Sequence, residues 1–167
     1  MKATLPELSL VKDRLSYDPE TGVFTWLKGF GRCRAGDKAG YLDTHGYITI
    51  RINRVLYYAH RLAYYLMTEK DPGDLQVDHI NLNRSDTRWV NLRASTQCQN
   101  MWNTKSPSTN TSGVKGVYWH KQNNHWRAEI KVNKKKIDLG GFPTIEKAEQ
   151  ALKERREQLH KEFHNHG

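Results

Sequence analysis

The chain has 167 residues, 37% of them hydrophobic, which suits one domain of ordinary size or two small ones. Lys and Arg number 27 against 18 Asp and Glu, and the resulting charge of +9 favours a nucleic acid as the large partner, although it could serve solubility alone. The two cysteines, Cys33 and Cys98, form no Cys-x-x-Cys pairing, which argues against a disulfide framework and a cysteine zinc site. The longest apolar stretch, residues 62–67, is too short to cross a bilayer and no signal-peptide core is present, so we expect a cytoplasmic protein with no membrane partner.

The start of the chain has the apolar spacing of a short amphipathic helix. The residues that carry this spacing are Leu5, Leu8, Val11 and Leu15. The helix should end before a turn at 18–22, and residues 23–26 then have the pattern of a strand. Residues 28–38 form a glycine-spaced basic segment, which could contact phosphates or could be a solvated loop.

A β-hairpin is predicted over residues 47–59, where apolar and polar residues alternate on either side of a two-residue turn. A helix should follow over about residues 60–68. Turn-forming residues then interrupt the chain, just ahead of a short strand that carries Asp78 and His79.

The domain joint is predicted at residues 103–112, which contain no apolar residue and are rich in Ser, Thr, Asn and Pro. This gives a first domain at 1–102 and a second at 113–167. Both parts carry an excess of Lys and Arg, so both can contact the same polyanion.

Residues 113–167 have the pattern of three strands followed by a helix. The expected bounds are 114–120, 125–132 and 136–139 for the strands and about 145–163 for the helix. Apolar residues of the second strand share one face, while Arg127 and Lys131 lie on the other. The helix should cover the apolar face with Ala148, Ala151, Leu152, Arg155 and Leu159. The opposite face of the sheet is then expected to be free and basic.

An acid, an imidazole and two amides are concentrated in one short segment, as Asp78, His79, Asn91 and Asn100. Carboxylate and amide oxygens are hard ligands, which suit Mg²⁺ or Mn²⁺ better than Zn²⁺. His79 can take a proton near neutral pH, so its predicted role is to activate a water molecule. Asn91 is expected to brace the loop or to orient His79.

The residues around Asn100 predict a helix. Thr96 and Gln99 have the spacing of a capping box, which starts a helix at Thr96. Asn100 and Asn103 would then share one face of this helix, and Asn100 could point back toward the strand that bears Asp78.

Residues 47–103 resemble HNH endonucleases of the type carried by phages and mobile homing elements. The resemblance rests on Gly46-Tyr47, Ala59-His60-Arg61-Leu62, Val77-Asp78-His79-Ile80-Asn81, Arg88-Trp89-Val90-Asn91-Leu92-Arg93 and Asn100. Residues 5–46 resemble the N-terminal extension common in the phage proteins. The resemblance implies a ββα-metal (His-Me finger) module with His79 as general base and Asp78 and Asn100 as ligands of one divalent ion. It also implies that Asn91 supports the catalytic site.

Two positions, Asn100 and His60, do not follow simply from this resemblance. Asn100 stands where many HNH enzymes carry a histidine, which makes a zinc or nickel preference less expected and favours Mg²⁺ or Mn²⁺. His60 belongs to the family pattern, but at a helix start it could equally be a packed structural residue. Catalysis is therefore not assigned to His60 from the sequence.

The C-terminal segment resembles an AP2 DNA-binding domain. The resemblance rests on Lys115-Gly116-Val117-Tyr118-Trp119, Trp126-Arg127-Ala128-Glu129-Ile130 and Leu139-Gly140-Gly141-Phe142. It implies DNA contacts by Lys115, Tyr118, His120, Lys131 and Lys136, and the strand pattern adds Arg127. Plant-type members carry more Arg and a further Trp, so base-by-base recognition is not transferred. Core packing is the preferred role for Trp119, Trp126 and Phe142.

The sequence thus predicts an α+β protein, with an HNH module followed by a small three-stranded antiparallel sheet and a helix. The expected function is a metal-dependent, homing-type endonuclease that nicks double-stranded DNA as a monomer, in the bacterial host cytoplasm if a phage encodes it. A non-catalytic DNA-binding regulator and an RNA-directed nuclease are the alternatives.

Overall fold

The computed structural model describes residues 4–29, 31–103, 110–132 and 135–160. The chain divides into two compact units, Met1–Ser95 and Thr96–Gly167. Residues 104–109 of the predicted linker lie outside the described residues, so the domain joint at 103–112 remains a prediction. None of the helices in the described ranges combines the length and the apolar character that crossing a bilayer requires.

The first unit opens with helix α1 (Leu8–Arg14), which continues directly into strand β1 (Leu15–Tyr17). The prediction that Leu15 belongs to the helix was therefore wrong: Leu15 is buried in a strand that pairs with β2 (Phe24–Trp26). Strand β3 (Lys38–Ala39) adds to β2 and completes a small antiparallel sheet. Helical spacing alone could not separate the last helical turn from a strand that continues the same apolar face.

A second sheet consists of β4 (Tyr41–Leu42), β5 (Ile48–Ile52) and β6 (Val55–Tyr58). The predicted hairpin is confirmed, and both residues of its turn, Asn53 and Arg54, have positive φ, as a type I′ turn requires. Helix α2 (Ala59–Thr68) follows without a loop, and its first five residues are buried.

A two-stranded antiparallel sheet pairs β7 (Gln76–His79) with β8 (Leu92–Ser95). A short 3-10 helix, Trp89–Asn91, leads into β8. Strand β8 was not predicted from the sequence. Its outer residues Leu92 and Ser95 are buried while the two between them are half-buried, which is not the alternation that marks a strand.

The N-terminal sheet anchors the loop between β7 and β8. The Tyr17 hydroxyl donates to the Thr87 carbonyl at 2.7 Å, and the Thr87 hydroxyl donates to the Gly22 carbonyl at 2.7 Å. Gly22 has φ of +73°, and a Cβ at this position would lie 2.6 Å from the Arg88 backbone nitrogen. Only glycine allows this close approach, so the turn after β1 and the loop before β8 are held together.

The core of the first unit is formed by apolar residues of α1, α2 and all three small sheets. Its buried members are Val11, Leu15, Phe24, Trp26, Ala39, Ile50, Ile52, Tyr57, Ala59, Leu62, Ala63, Val77 and Leu92. Arg61 of α2 is also buried, and it donates to the Leu75 carbonyl at 3.1 Å. This contact fixes the turn that leads into β7.

The second unit contains helix α3 (Gln97–Trp102), the antiparallel strands β9 (Val117–His120), β10 (His125–Val132) and β11 (Lys135–Phe142), and helix α4 (Ile145–His160). The sheet order is β11-β10-β9. The predicted helices and strands correspond to the observed ones, although β9 begins three residues later than expected and β11 extends further. The predicted end of the last helix, at about residue 163, lies outside the described residues. The mixture of helices and small antiparallel sheets agrees with the predicted α+β class.

Helix α4 covers one face of this sheet, where Val117, Ala128, Ile130, Ala148 and Leu152 form the buried core. Trp126 and Phe142 pack against that core, as predicted.

The expectation that Trp119 packs in the core was wrong: Trp119 is 42% exposed and contacts Trp126 edge to face, with ring centroids 5.2 Å apart. On α4, Arg155 is half-buried, and the neighbouring Arg156 is buried.

Candidate active site

Asp78 lies in β7 opposite Arg93 of β8. The Arg93 guanidinium donates to Oδ2 of Asp78 from Nε at 3.1 Å and from a terminal nitrogen at 3.0 Å. Asp78 is 6% exposed, and Arg93 is mostly buried as well. A two-pronged guanidinium contact restricts the orientation of a carboxylate, so Asp78 is held in a defined position.

His79 follows Asp78 at the end of β7 and is 5% exposed. Its ring lies beside that of His60, with centroids 4.8 Å apart and an interplanar angle of 68°. The Tyr47 ring lies 6.0 Å from the His79 ring, and the Arg84 guanidinium carbon is 4.9 Å from the centre of the Tyr47 ring. The imidazole therefore lies against two aromatic rings that come from separate parts of the chain.

Burial keeps both imidazoles neutral. It lowers the pKa of His79 to about 4, with the Asp86 carboxylate acting in the opposite direction and the Arg84 charge adding to the decrease. The pKa of His60 is lowered to about 3, first by burial and then by the charges of His79 and Arg61. At neutral pH, His79 therefore holds a nitrogen lone pair that can accept a proton.

Asn91 connects the two ends of the loop between β7 and β8. Its side-chain oxygen accepts from the Asn81 backbone N–H at 2.9 Å, and its side-chain nitrogen donates to the Asp86 carbonyl at 2.9 Å. The backbone carbonyl of Asn91 also accepts from the Ile80 N–H at 2.9 Å. These three bonds fix the chain that leaves His79.

Asp86 lies in the same loop and is itself well bound. Arg88 donates two side-chain hydrogen bonds to its carboxylate, and Asn81 donates a third at 2.7 Å. The Arg88 contact is the main reason that the pKa of Asp86 falls to about 2. A stable negative charge is thus maintained near His79.

Asn100 lies in the second unit, on α3. The predicted capping box is confirmed: the Thr96 side chain accepts from the Gln99 N–H, and the Gln99 side chain accepts from the Thr96 N–H. The Asn100 backbone N–H donates to the Thr96 carbonyl at 3.0 Å, so Asn100 belongs to the first regular turn of this helix. Its predicted role as a metal ligand remains a prediction.

The donor set suits a hard ion with few protein ligands. Within the described residues, no three side chains of His, Cys, Asp or Glu gather closely enough to hold a metal ion. Asp78 supplies one well-oriented carboxylate, and a carboxylate with an amide oxygen leaves most positions to water and phosphate. Oxygen donors of this kind are the ligand type that Mg²⁺ and Mn²⁺ prefer in proteins.

The exposed face of the C-terminal sheet is mixed rather than uniformly basic, which corrects the expectation from the strand pattern. Arg127 forms an ion pair with Asp138, and Lys136 pairs with Glu129 at 2.9 Å. Lys131 is exposed and lies directly opposite Lys136 in the strand register.

Three other predicted DNA contacts differ in exposure. Tyr118 is exposed and pairs in register with Arg127. His120 stacks on His125 across the strands, with ring centroids 5.7 Å apart. Lys115 lies before β9 and is half-buried, and burial together with the Arg156 charge lowers its pKa to about 8. Lys115, His120 and Arg127 are half-buried, whereas Tyr118, Lys131 and Lys136 are exposed.

Several residues of the site were not assigned from sequence. Tyr47 and His60 were part of the family pattern, but no local signal showed that their rings lie next to His79. Arg93 was also in the pattern, and pairing β7 with β8 would have placed it opposite Asp78. Arg84 could not be found, because its position depends on the folding of the loop.

Comparison with known proteins assigns the class. A sequence model described as HNH endonuclease matches residues 57–102, which include Asp78, His79, Asn91 and Asn100. Residues 57–102 therefore belong to the HNH endonuclease family, which confirms this part of the predicted resemblance. The homing type and the AP2-like identity of the second unit remain predictions, as does the ββα-metal arrangement.

Two viral proteins are among the relatives. Protein 3.8 of Escherichia phage T7 is 34% identical over 92 residues, which cover 55% of this chain and 75% of that protein. The Uncharacterized HNH endonuclease L560 of Acanthamoeba polyphaga mimivirus is 36% identical over 105 residues, or 62% of this chain. The chain spans about half of the mimivirus protein, since 54% of that protein is covered. No solved structure matches the chain.

Proposed function

We propose that this protein is a metal-dependent endonuclease that hydrolyses phosphodiester bonds of double-stranded DNA. The observation that carries the proposal is the neutral, buried imidazole of His79, which directly follows the oriented carboxylate of Asp78 inside the HNH-matched segment. A neutral imidazole can act as a base, and the ion-paired carboxylate can act as a ligand.

His79 is the proposed general base. Its imidazole takes a proton from a water molecule as the water oxygen forms a bond to the scissile phosphorus. The bond from phosphorus to the 3′ oxygen then breaks, and the leaving oxygen acquires a proton from solvent, which gives a 5′-phosphate and a 3′-hydroxyl. A DNA phosphate beside His79 favours the protonated imidazole, and this raises its proton affinity when substrate is bound.

Asp78 and Asn100 are the proposed ligands of one Mg²⁺ or Mn²⁺ ion. Such an ion, when bound, stabilises the charge that develops on the phosphate and the leaving oxygen. Arg93 keeps the Asp78 carboxylate in a fixed orientation through its paired hydrogen bonds. Asn91 supports the site by fixing the loop that leaves His79, and it contacts no metal in this proposal.

The C-terminal sheet is the proposed binding surface for the DNA duplex. It is AP2-like in this proposal, and its DNA-contacting residues are Lys115, Tyr118, His120, Arg127, Lys131 and Lys136. A narrow sheet with Arg and Lys side chains can enter the major groove and reach phosphates and guanine edges. One HNH centre cuts one strand, so a monomer would nick DNA in the manner of a homing-type enzyme.

A plasmid relaxation assay tests the proposal. The purified chain should convert supercoiled plasmid to nicked circles with Mg²⁺ or Mn²⁺, and excess EDTA should stop the reaction. Labelled duplex DNA, single-stranded DNA and RNA of one sequence should be compared in parallel, with mapping of the product ends. Metal-independent DNA binding without cleavage would instead support a regulator, and preferential cleavage of RNA would support an RNA-directed nuclease.

A further inference from the structure

His60 occupies a position that the proposed chemistry leaves unexplained. It lies in the first turn of α2 and is 6% exposed, although histidine is only intermediate among residues in its tendency to be buried. The buried side of this helix otherwise consists largely of Ala59, Leu62 and Ala63. An apolar residue at this position would avoid the cost of burying a polar ring.

Two tyrosines hold the His60 ring. Tyr58 stacks on it with centroids 5.3 Å apart and planes at 23°, and Tyr47 lies 5.4 Å away at 40°. Tyr58 and Tyr47 also contact each other, at 5.1 Å. The three rings form a connected cluster, and such arrangements restrict ring rotation through shape and quadrupole contacts.

The ring of His79 contacts this cluster. The His60 and His79 rings meet edge to face at 4.8 Å, and Tyr47 contacts both of them. The Nδ1 atom of His60 is buried and has no hydrogen-bond partner within the described residues. Ring contacts link His60 to His79 in the structure.

Ring orientation matters for a histidine that removes a proton. The accepting nitrogen must lie within hydrogen-bond reach of the water and point toward it, and a displacement of about 1 Å can cost about a hundredfold in rate. His79 is the last residue of β7, and the hydrogen bonds of Asn91 hold the backbone that follows it, but these bonds do not set the angle of the imidazole ring.

We propose that His60 is a positioning residue for His79. Its imidazole, clamped by Tyr58 and Tyr47, packs against the His79 ring and holds it in the orientation used for proton transfer. This inference rests on the proposed function of His79 and adds the means by which its ring is oriented.

Three substitutions at His60 separate packing from nitrogen chemistry. His60→Phe keeps a flat ring without nitrogen, His60→Gln keeps a polar group without a ring, and His60→Ala keeps neither. We expect His60→Ala and His60→Gln to lower kcat by about ten- to a hundredfold with KM within about twofold, because orientation rather than DNA binding is lost. His60→Phe should recover kcat to within about fivefold of the wild-type value.

A second measurement, by NMR, does not depend on catalytic activity. The ring nitrogen and carbon signals of His79, followed by NMR in ¹⁵N-histidine-labelled protein without metal or DNA, report its tautomer and ring environment. They should change in His60→Ala and remain near the wild-type positions in His60→Phe. Tyr58→Leu, at a half-exposed position, removes the stack on His60 and should give a smaller change of the same kind.

Leu62→Ala is the matched control, since Leu62 is fully buried on the same helix. It should lower stability but leave the kcat of folded protein and the His79 signals near wild type.

The proposal would be overturned if His60→Ala, or Tyr58→Leu where the alanine variant does not fold, left both readouts unchanged. It would also be overturned if His60→Phe were as inactive as His60→Ala. If wild type failed to cleave DNA, the proposed function would fall, and the NMR comparison would still decide whether His60 orients His79.

Discussion

The polar side chains of the two units differ in how deeply they are buried and in how firmly their partners hold them. In the first, Asp78 and His79 are buried, and fixed partners surround them. In the second, the candidate DNA contacts lie mainly on an exposed sheet face, where Arg127 and Lys136 already pair with acidic residues. Buried groups that are oriented in advance lose little freedom during a reaction, whereas exposed ion pairs are weak and exchange readily.

This contrast has a direct consequence for the proposed enzyme. Substitutions in the first unit should alter the rate of cleavage and the stability together, because the same contacts orient and stabilise the site. Substitutions on the sheet face should alter DNA affinity and its salt dependence, with little effect on the chemical step.

The largest effect should come from Asp78→Asn. Cleavage should fall by about a hundred- to a thousandfold because a ligand carboxylate is lost. The free energy of unfolding should fall by about 3 to 5 kcal/mol, because the buried Arg93 charge loses its partner. Urea unfolding and single-turnover cleavage measure the two effects.

The double variant Asp78→Asn with Arg93→Gln is the control for this experiment. Removing both charges should restore much of the stability, while cleavage should stay low. Recovery of cleavage in the double variant would show that the carboxylate is needed only to neutralise Arg93.

Asn91→Ala should have an intermediate effect. It removes two side-chain hydrogen bonds that close the loop after His79, so we expect a loss of about 2 kcal/mol in stability and about a tenfold decrease in kcat. The neighbouring Val90 is 78% exposed, and Val90→Ala should change the stability by less than about 0.5 kcal/mol. Equal stability of the two variants would contradict the bracing role.

The buried histidines predict a loss of stability in acid. The pKa values of His60 and His79 are about 3 and about 4 in the folded state, against 6.5 for an ordinary histidine, so the unfolded chain binds more protons below pH 6.5. Stability is therefore fully present above pH 6.5 and falls as the pH decreases, by up to about 1.4 kcal/mol per pH unit for each histidine.

Urea unfolding between pH 7.5 and 4.5 measures this loss, with His60→Phe as comparison. The variant should lose less stability over the same range, because one buried imidazole is gone. An identical pH dependence in both proteins would mean that His60 is not buried in its neutral form.

The smallest effect is expected on the C-terminal sheet. Lys131→Ala should weaken DNA binding a few-fold, reduce the slope of log affinity against log salt by about one, and leave kcat unchanged. Lys153→Ala, on α4 and paired with Glu149, serves as control and should change neither quantity. A decrease in kcat with unchanged affinity for Lys131→Ala would contradict the proposal that the first unit cleaves DNA and the second unit binds it.

The sequence was most informative where the determining contacts are local. The capping box of Thr96 and Gln99 needs only four residues, and it was predicted and observed. The hairpin of β5 and β6 likewise follows from alternation and a short turn. The burial of His79 could not be predicted, because Tyr47 and His60 reach it from distant parts of the chain.

For the exposed face of the C-terminal sheet, prediction from the sequence was limited in a similar way. Strand alternation correctly placed Arg127 and Lys131 away from the core, but it could not show that Asp138 and Glu129 partly neutralise the face. Trp119 pairs in register with Trp126 and lies two residues from the buried Val117 on the same strand, yet it is 42% exposed. Which part of a sheet a helix covers is set by tertiary packing, which alternation does not encode.

In the proposed enzyme, the first unit performs chemistry that depends on His79, while other residues bind the DNA. Single-turnover cleavage of a labelled duplex and equilibrium binding to the same duplex should be measured side by side for wild type and His79→Ala. We expect cleavage to fall by about a thousandfold while affinity stays within about twofold. Cleavage by His79→Ala at the wild-type rate would contradict the proposed role of His79.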